Sequence, residues 1–171
     1  MKKIEQLENM RMFAPETGYT GFAPNWMNKY EIGPASTDNK TAPEGMLELA
    51  EGIQEVSPSQ EETTEKFEYY GDKGGSQEDV VSISGTFAFT GHRMYAADDA
   101  QAFIRARLNK SGQDRIVFFR HTEPDGKVTQ GNATLKGIVH TGGGANNRGN
   151  FECQITFNGV PHETVATVPG G

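Results

Sequence analysis

The sequence predicts a mainly β fold with one helix (α+β): an antiparallel β-sandwich or partial barrel flanked by one α-helix, with an N-terminal arm and a long loop. Three observations lead there. Val81, Ile83, Gly85, Phe87 and Phe89 alternate with Ser82, Ser84, Thr86, Ala88 and Thr90, and residues 150–158 alternate in the same way. That period of two belongs to half-buried strands. Glycine supplies 21 of 171 residues, well above the ~7% norm and without low-complexity repeats, as short strands joined by tight turns require. Only one segment carries helical spacing.

Taken in order, the elements begin with an arm over residues 1–43. Pro15, Pro24, Pro34 and Pro43 interrupt any helix there. Tyr19, Phe22, Trp26 and Tyr30 lie scattered between turns, more aromatics than a disordered tail carries. Such anchors dock either on a neighbouring surface or on the chain's own body.

Residues 44–171 form the expected single domain. Leu47, Leu49, Ile53 and Val56 suggest a strand pair or one bulged strand ending at Ser57-Pro58. Residues 57–79 then make a long, hairpin-like loop, longer than a compact domain needs. A helix is expected over about 98–110. Asp98 and Asp99 stand at its start, Arg105, Arg107 and Lys110 near its end, and Gly112 follows, matching the helix dipole at both termini. Ala100, Phe103, Ile104 and Leu108 make its packing stripe. Arg115–Thr122 is apolar on both faces, so covered twice. Asp125-Gly126 signals a hairpin turn into Lys127–Thr141. Asn150–Asn158 follows, and Asn158-Gly159 is expected to turn into a last strand at Pro161–Val168.

Charge narrows the function classes. The formal net charge is -7 and the pI about 5.1, which disfavours a basic duplex-DNA reader. The acid is concentrated early: residues 1–80 hold 16 acids and 7 bases (net -9), and residues 81–171 hold 7 and 9 (net +2). Glu44, Glu48, Glu51, Glu55, Glu61, Glu62, Glu65 and Glu68 stand against Lys66 alone. A solvated face explains this, and so does a surface built to repel something anionic. No apolar run approaches the ~18 residues of a membrane span, the N-terminus lacks a signal-peptide pattern, and one cysteine allows no internal disulfide. No membrane insertion is expected.

Catalytic signals are thin. The Gly142–Gly149 run lacks the Lys-Ser/Thr of a phosphate loop and is followed by Asn150-Phe151. His92, His121, His140 and His162 form no His-Glu-x-x-His pattern, and zinc needs about four converging ligands. Cys153 sits at an inward strand position, where a small thiol is ordinary packing rather than a nucleophile for His140. Asp98 and Asp99 suit helix capping better than acid–base chemistry. The expectation is no enzyme, no cofactor and no metal.

The order of segments resembles the siphophage major tail tube proteins. Leu7-x-x-Met10-x-Met12-Phe13-x-Pro15 comes first, then a Glu-rich strand and loop through Tyr69-Tyr70-Gly71. Phe87-x-Phe89-x-Gly91-His92-Arg93-x-Tyr95 and Asp98-Asp99-Ala100-Gln101-x-Phe103-Ile104 follow. Arg115-Ile116-x-Phe118, the Gly142–Asn146 loop, and Phe151-Glu152-x-Gln154-Ile155-x-Phe157-Asn158-Gly159-x-Pro161 complete it. The resemblance spans most of the chain. It implies a structural subunit whose hexameric rings stack into a hollow tube that conducts DNA during ejection. It also implies tape-measure, tail terminator and baseplate proteins as partners, assembly in the host bacterial cytoplasm and residence in the virion tail, with no added C-terminal immunoglobulin-like domain.

On that reading Phe13, Phe22, Trp26, Tyr30, Phe67, Tyr69, Tyr70, Asn146 and Arg148 are expected at inter-subunit contacts. Glu48, Glu51 and Glu55 are expected to face a lumen that DNA must pass without sticking. The alternative is a monomeric β-sandwich binding module, such as a carbohydrate-binding domain, which would expose an ordered aromatic platform.

Overall fold

The computed structural model describes residues 19–96 and 99–165. Eight strands form one antiparallel sheet: β1 (Lys29–Pro34), β2 (Leu47–Glu48), β3 (Ile53–Glu68), β4 (Ser76–His92), β5 (Ile116–Thr122), β6 (Lys127–Val139), β7 (Asn150–Phe157) and β8 (His162–Val165). The order across the sheet is β2-β1-β5-β6-β7-β4-β3, with β8 also paired to β6. Among the described residues one α-helix, α1 (Ala100–Arg105), joins β4 to β5.

The sheet is rolled. Tyr30 on β1 and Phe89 on β4 lie four strand positions apart, ~19 Å across a flat sheet at ~4.8 Å per step. Their rings nevertheless meet edge-on at 5.3 Å. Phe119 packs against Phe89 at 6.0 Å and against Phe157 at 5.6 Å. Ile32, Val117, Leu135, Phe151, Cys153 and Ile155 fill the rest of the interior, each 1% exposed or less. Ala100 and Ile104 of α1 join this cluster. The result is a partial barrel: the outermost strands β2 and β3 are not paired to each other, yet only Leu49–Gly52 separates them in the chain.

Several local expectations change. Lys29–Pro34, assigned to the arm by its flanking prolines, is a full strand between β2 and β5. The excursion at 57–79 is mostly ladder rather than loop. β3 runs straight through Pro58 and pairs with β4 from Ile53↔Gly91 to Glu68↔Ser76, with register shifts at Ile53/Glu55 and Thr63/Thr64, so within 57–79 only the turn at 69–75 lies outside the ladder. Pro58 is tolerated because β3 is an edge strand whose missing N–H can face solvent.

Asn158-Gly159 is no hairpin. β7 pairs with β6 from Val139 to Ala133, and β8 continues in the same direction along β6 from Gln130 to Lys127. Gly159, at φ +79°, takes up the offset between them. The helix is shorter than 98–110. Asp99 caps it, its carboxylate accepting from the Ala102 N–H at 2.7 Å, while Asp98 lies outside the described residues. Beyond Arg105 the bonds tighten to three-residue spacing. There the Arg115 guanidinium takes the Leu108 and Lys110 carbonyls that a longer helix would have used.

β5 is covered on both faces. Val117 and Phe119 point into the roll, and Phe118, also fully buried, points outward. Segment 35–43 lies over that outer side. It is tied to Asn132, the register partner of Phe118, through the Ser36 N–H (2.8 Å) and carbonyl (2.7 Å). Asp38 holds this segment's turn by accepting from Ser36, Lys40 and Thr41. Those hydrogen bonds keep its carboxyl well below the usual range.

Candidate assembly surface

β7 pairs with β4 only from Thr86 to His92. Beyond Thr86 the β3–β4 pair continues alone as a two-stranded ribbon. Residues 76–85 of β4 have no second neighbour, and at ~3.3 Å per residue that free length is ~30 Å. A two-stranded ribbon is at best marginally stable in water.

Register sorts the ribbon into two faces. Partners opposite one another share a face. One row runs Val56/Phe89, Pro58/Phe87, Gln60/Gly85, Glu62/Ile83 and Thr64/Val80, and it extends the core face outward. Val80, Val81 and Ile83 stand 54%, 48% and 38% exposed on it. A bulge between Thr63 and Thr64 puts Val80 and Val81 together. The opposite row runs Glu55/Thr90, Ser57/Ala88, Ser59/Thr86, Glu61/Ser84, Thr63/Ser82 and Glu65/Asp79. It continues the outer face of the roll, where Thr90 pairs with Glu152 and Thr86 with Thr156.

The expected contact residues fall into three groups. Phe22, Trp26, Tyr69 and Tyr70 are exposed, Phe22 and Tyr70 entirely; Tyr69 and Tyr70 form the ribbon tip. Phe67 is half-buried there, its ring stacked on Tyr69 at 6.5 Å. Asn146 and Arg148 are exposed in the loop between β6 and β7. Tyr30 is different: its ring packs against Phe87, Phe89, Phe119 and His121, so this anchor docks on its own body. Burial, with Glu123 nearby, pushes its hydroxyl above the ordinary value. Phe13 lies outside the described residues.

The three acids expected at a lumen sit on one short stretch. Glu48 is on β2, Glu51 in the link and Glu55 on β3, all exposed. Glu55 and Glu48 both take outer-face registers, opposite Thr90 and Glu31. The sequence reading missed Glu152, which stands in the same outer row as Glu55; its place depends on a pairing between β4 and β7 that no local pattern encodes. It missed Gln101 as well. Only 1% exposed, Gln101 accepts from Arg93 and the Met94 N–H and donates to the Glu51 and His92 carbonyls. Its amide locks α1 to the link and to the end of β4.

Titratable groups elsewhere serve packing. Burial raises the Glu31 carboxyl, but a 2.7 Å hydrogen bond from Arg120 and the charge of Lys29 outweigh it and hold it below its ordinary value. Burial lowers His121, whose ring is paired with Asn28 at 2.9 Å. Burial pushes the Cys153 thiol up to about 12, the behaviour of a packing residue. A cleft of about 340 Å³ opens where the ribbon leaves the roll, between Pro58, Gln60, Ile83, Phe87, Phe157 and Pro161. No titratable side chain lines it. Among the described residues no three His, Cys, Asp or Glu side chains converge on a metal position.

Solved structures share this fold. One is a chain in the tail of an empty gene transfer agent particle determined with C6 symmetry (TM-score 0.62, 14% identity, covering 85% of this chain and 100% of that one). This fold is that of a tail tube protein. A chain of the native gene transfer agent virion agrees at TM-score 0.63 and 15% identity, over 84% of this chain and all of the other. The anti-feeding prophage cap, which terminates a tube, matches at TM-score 0.52 and 7% identity, over 88% and 96% of the two chains. No family model and no curated protein matches the sequence. The fold is therefore shared at 7–15% identity.

Proposed function

We propose that the chain is the self-assembling subunit of a phage-type tail tube, in which hexameric rings stack into a hollow conduit for DNA. The observation that carries this reading is the match over the whole length of a subunit from a C6 tail. The ribbon supports it: a two-stranded extension with Val80, Val81 and Ile83 in solvent suits a polymer better than a monomer. The open strand edges of β3 and distal β4 add to that, since pairing with neighbours removes such edges. The role is structural and non-enzymatic. Tape-measure, terminator and baseplate proteins are the partners that go with it, in a virion tail assembled in the host cytoplasm.

The outer face of the roll is the surface we assign to the lumen. It carries Glu55 and Glu152 among serines, threonines and Gln154. Carboxylates and hydroxyls there give phosphate no salt-releasing contacts. The test is electron microscopy of the purified protein with light scattering across concentration. Rings or tubes are expected. A monodisperse monomer at millimolar concentration, with carbohydrate binding on an aromatic platform, would overturn the assignment in favour of a binding module.

A further inference from the structure

Asn158 precedes Gly159, whereas every other asparagine of the chain precedes a residue with a side chain. Asparagine is among the thermolabile residues, because its side-chain carbonyl lies within reach of the next residue's backbone nitrogen. A side chain on that next residue hinders the approach, and glycine has none.

The pair stands at a joint of the sheet. β7 ends at Phe157 and β8 begins at His162, both running along β6. Asn158 is exposed. Its N–H donates to the Asn132 carbonyl at 2.9 Å, and its Oδ1 accepts from the Thr134 hydroxyl at 2.8 Å, which polarises the side-chain carbonyl. Its Nδ2 has no acceptor among the described residues. Gly159, at φ +79°, makes no backbone hydrogen bond among the described residues, and a Cβ there would meet nothing within 4 Å. The electrophile is thus held in place, while the nucleophile and the leaving group both face water.

We propose that Asn158 is a site of spontaneous self-modification, in which the Asn158-Gly159 pair deamidates in the folded chain and loosens β8. The Gly159 nitrogen attacks Cγ of Asn158. A Cγ–N bond forms, the Cγ–Nδ2 bond breaks, and Nδ2 leaves as ammonia with the proton from the Gly159 nitrogen. Water then opens the five-membered imide. Opening at Cγ gives aspartate, and opening at the backbone carbonyl gives isoaspartate, whose main chain is one methylene longer. Either product adds one negative charge beside Thr134. Only isoaspartate shifts β8 against β6, and β8 is held there by four register pairs, Gln130↔His162 to Lys127↔Val165, with all four of its residues exposed. The chemistry needs no second copy and is independent of assembly.

The test ages the dilute full chain in mildly alkaline buffer and follows it by peptide mass mapping and isoaspartyl methyltransferase labelling. Conversion at Asn158 should be at least about tenfold faster than at any other described asparagine, and should rise with pH because the attacking nitrogen must lose its proton. Asn158→Gln, which moves the amide one methylene further away, should stay unconverted at this position. Hydrogen exchange over residues 162–165 should be about fivefold or more faster in the aged protein, and within about twofold of wild type in Asn158→Asp, which carries the charge on a normal backbone. Conversion at Asn158 no faster than elsewhere, or seen only after unfolding in urea, overturns the site. Converted protein whose exchange over 162–165 is unchanged, or matched by Asn158→Asp, overturns the loosening of β8.

Discussion

β4 crosses two environments with one alternating pattern. From Thr86 to His92 it lies between β3 and β7, and Phe89 is completely buried. From Ser76 to Gly85 it has only β3 beside it, and Val80 and Val81, continuing the same face, are about half exposed. Burial in this molecule is therefore set by how many strands flank a position, not by the residue chosen there. The inner half stabilises a monomer. The outer half holds apolar surface that nothing among the described residues covers.

The sharpest way to break that comparison is to remove one half. Replacing residues 62–83 by a two-residue Asn-Gly turn should leave a folded monomer and abolish assembly, read by electron microscopy and a retained melting transition. Loss of the transition would mean that the ribbon belongs to the core. Next, Phe89→Ala should cost about 3–5 kcal/mol, whereas Ile83→Ala should change monomer stability by less than about 0.5 kcal/mol, both measured by urea unfolding. Equal costs would erase the distinction.

Gln101→Ala should follow at about 2 kcal/mol, because it strands the Glu51 and His92 carbonyls and the Met94 N–H. A smaller effect comes from His121. Its folded pKa lies below the ordinary 6.5, so the unfolded chain binds the proton more readily. Its contribution is complete above pH 6.5 and is lost as pH falls through the folded value. The melting temperature should fall over that window and fall less in His121→Phe. Smallest of all, removing residues 1–18 should leave the melting temperature within about 2 °C while weakening assembly. A large drop would place that segment in the core.

The same contrast explains what could be read from the chain. β7 and inner β4 were legible because one face is buried and the other wet, which writes a period of two into the residues. The helix start was legible because Asp99 caps it through a short local bond. The ribbon read as a loop because Ser59–Glu65 has no buried face, and strand pairing without burial leaves little trace. β1 was hidden between Pro24 and Pro34, although Tyr30 and Ile32 are spaced as inward neighbours and both pack inside. Asn158-Gly159 misled because a turn-forming pair can also offset two strands that keep one direction. Within the candidate surface, Tyr69 and Tyr70 were visible as aromatics in a polar stretch. The Glu55–Glu152 row was not, since it spans a contact of 97 residues in the chain.

The link Leu49–Gly52 has a mechanical consequence. The two margins of the sheet are fastened by four residues of backbone rather than by a ladder, so the roll behaves as a slit cylinder pinned at one end. The pin is tight: a Cβ on Gly52 would sit 2.5 Å from the His92 carbonyl oxygen, and one on Gly91 would sit 2.1 Å from the Gly52 oxygen. The pin is also tied to its surroundings: the Leu49 N–H donates to the Tyr30 carbonyl, the Gly52 carbonyl accepts from the His92 N–H, and the Glu51 carbonyl accepts from Gln101. The width of the slit is set by these few bonds rather than by strand pairing.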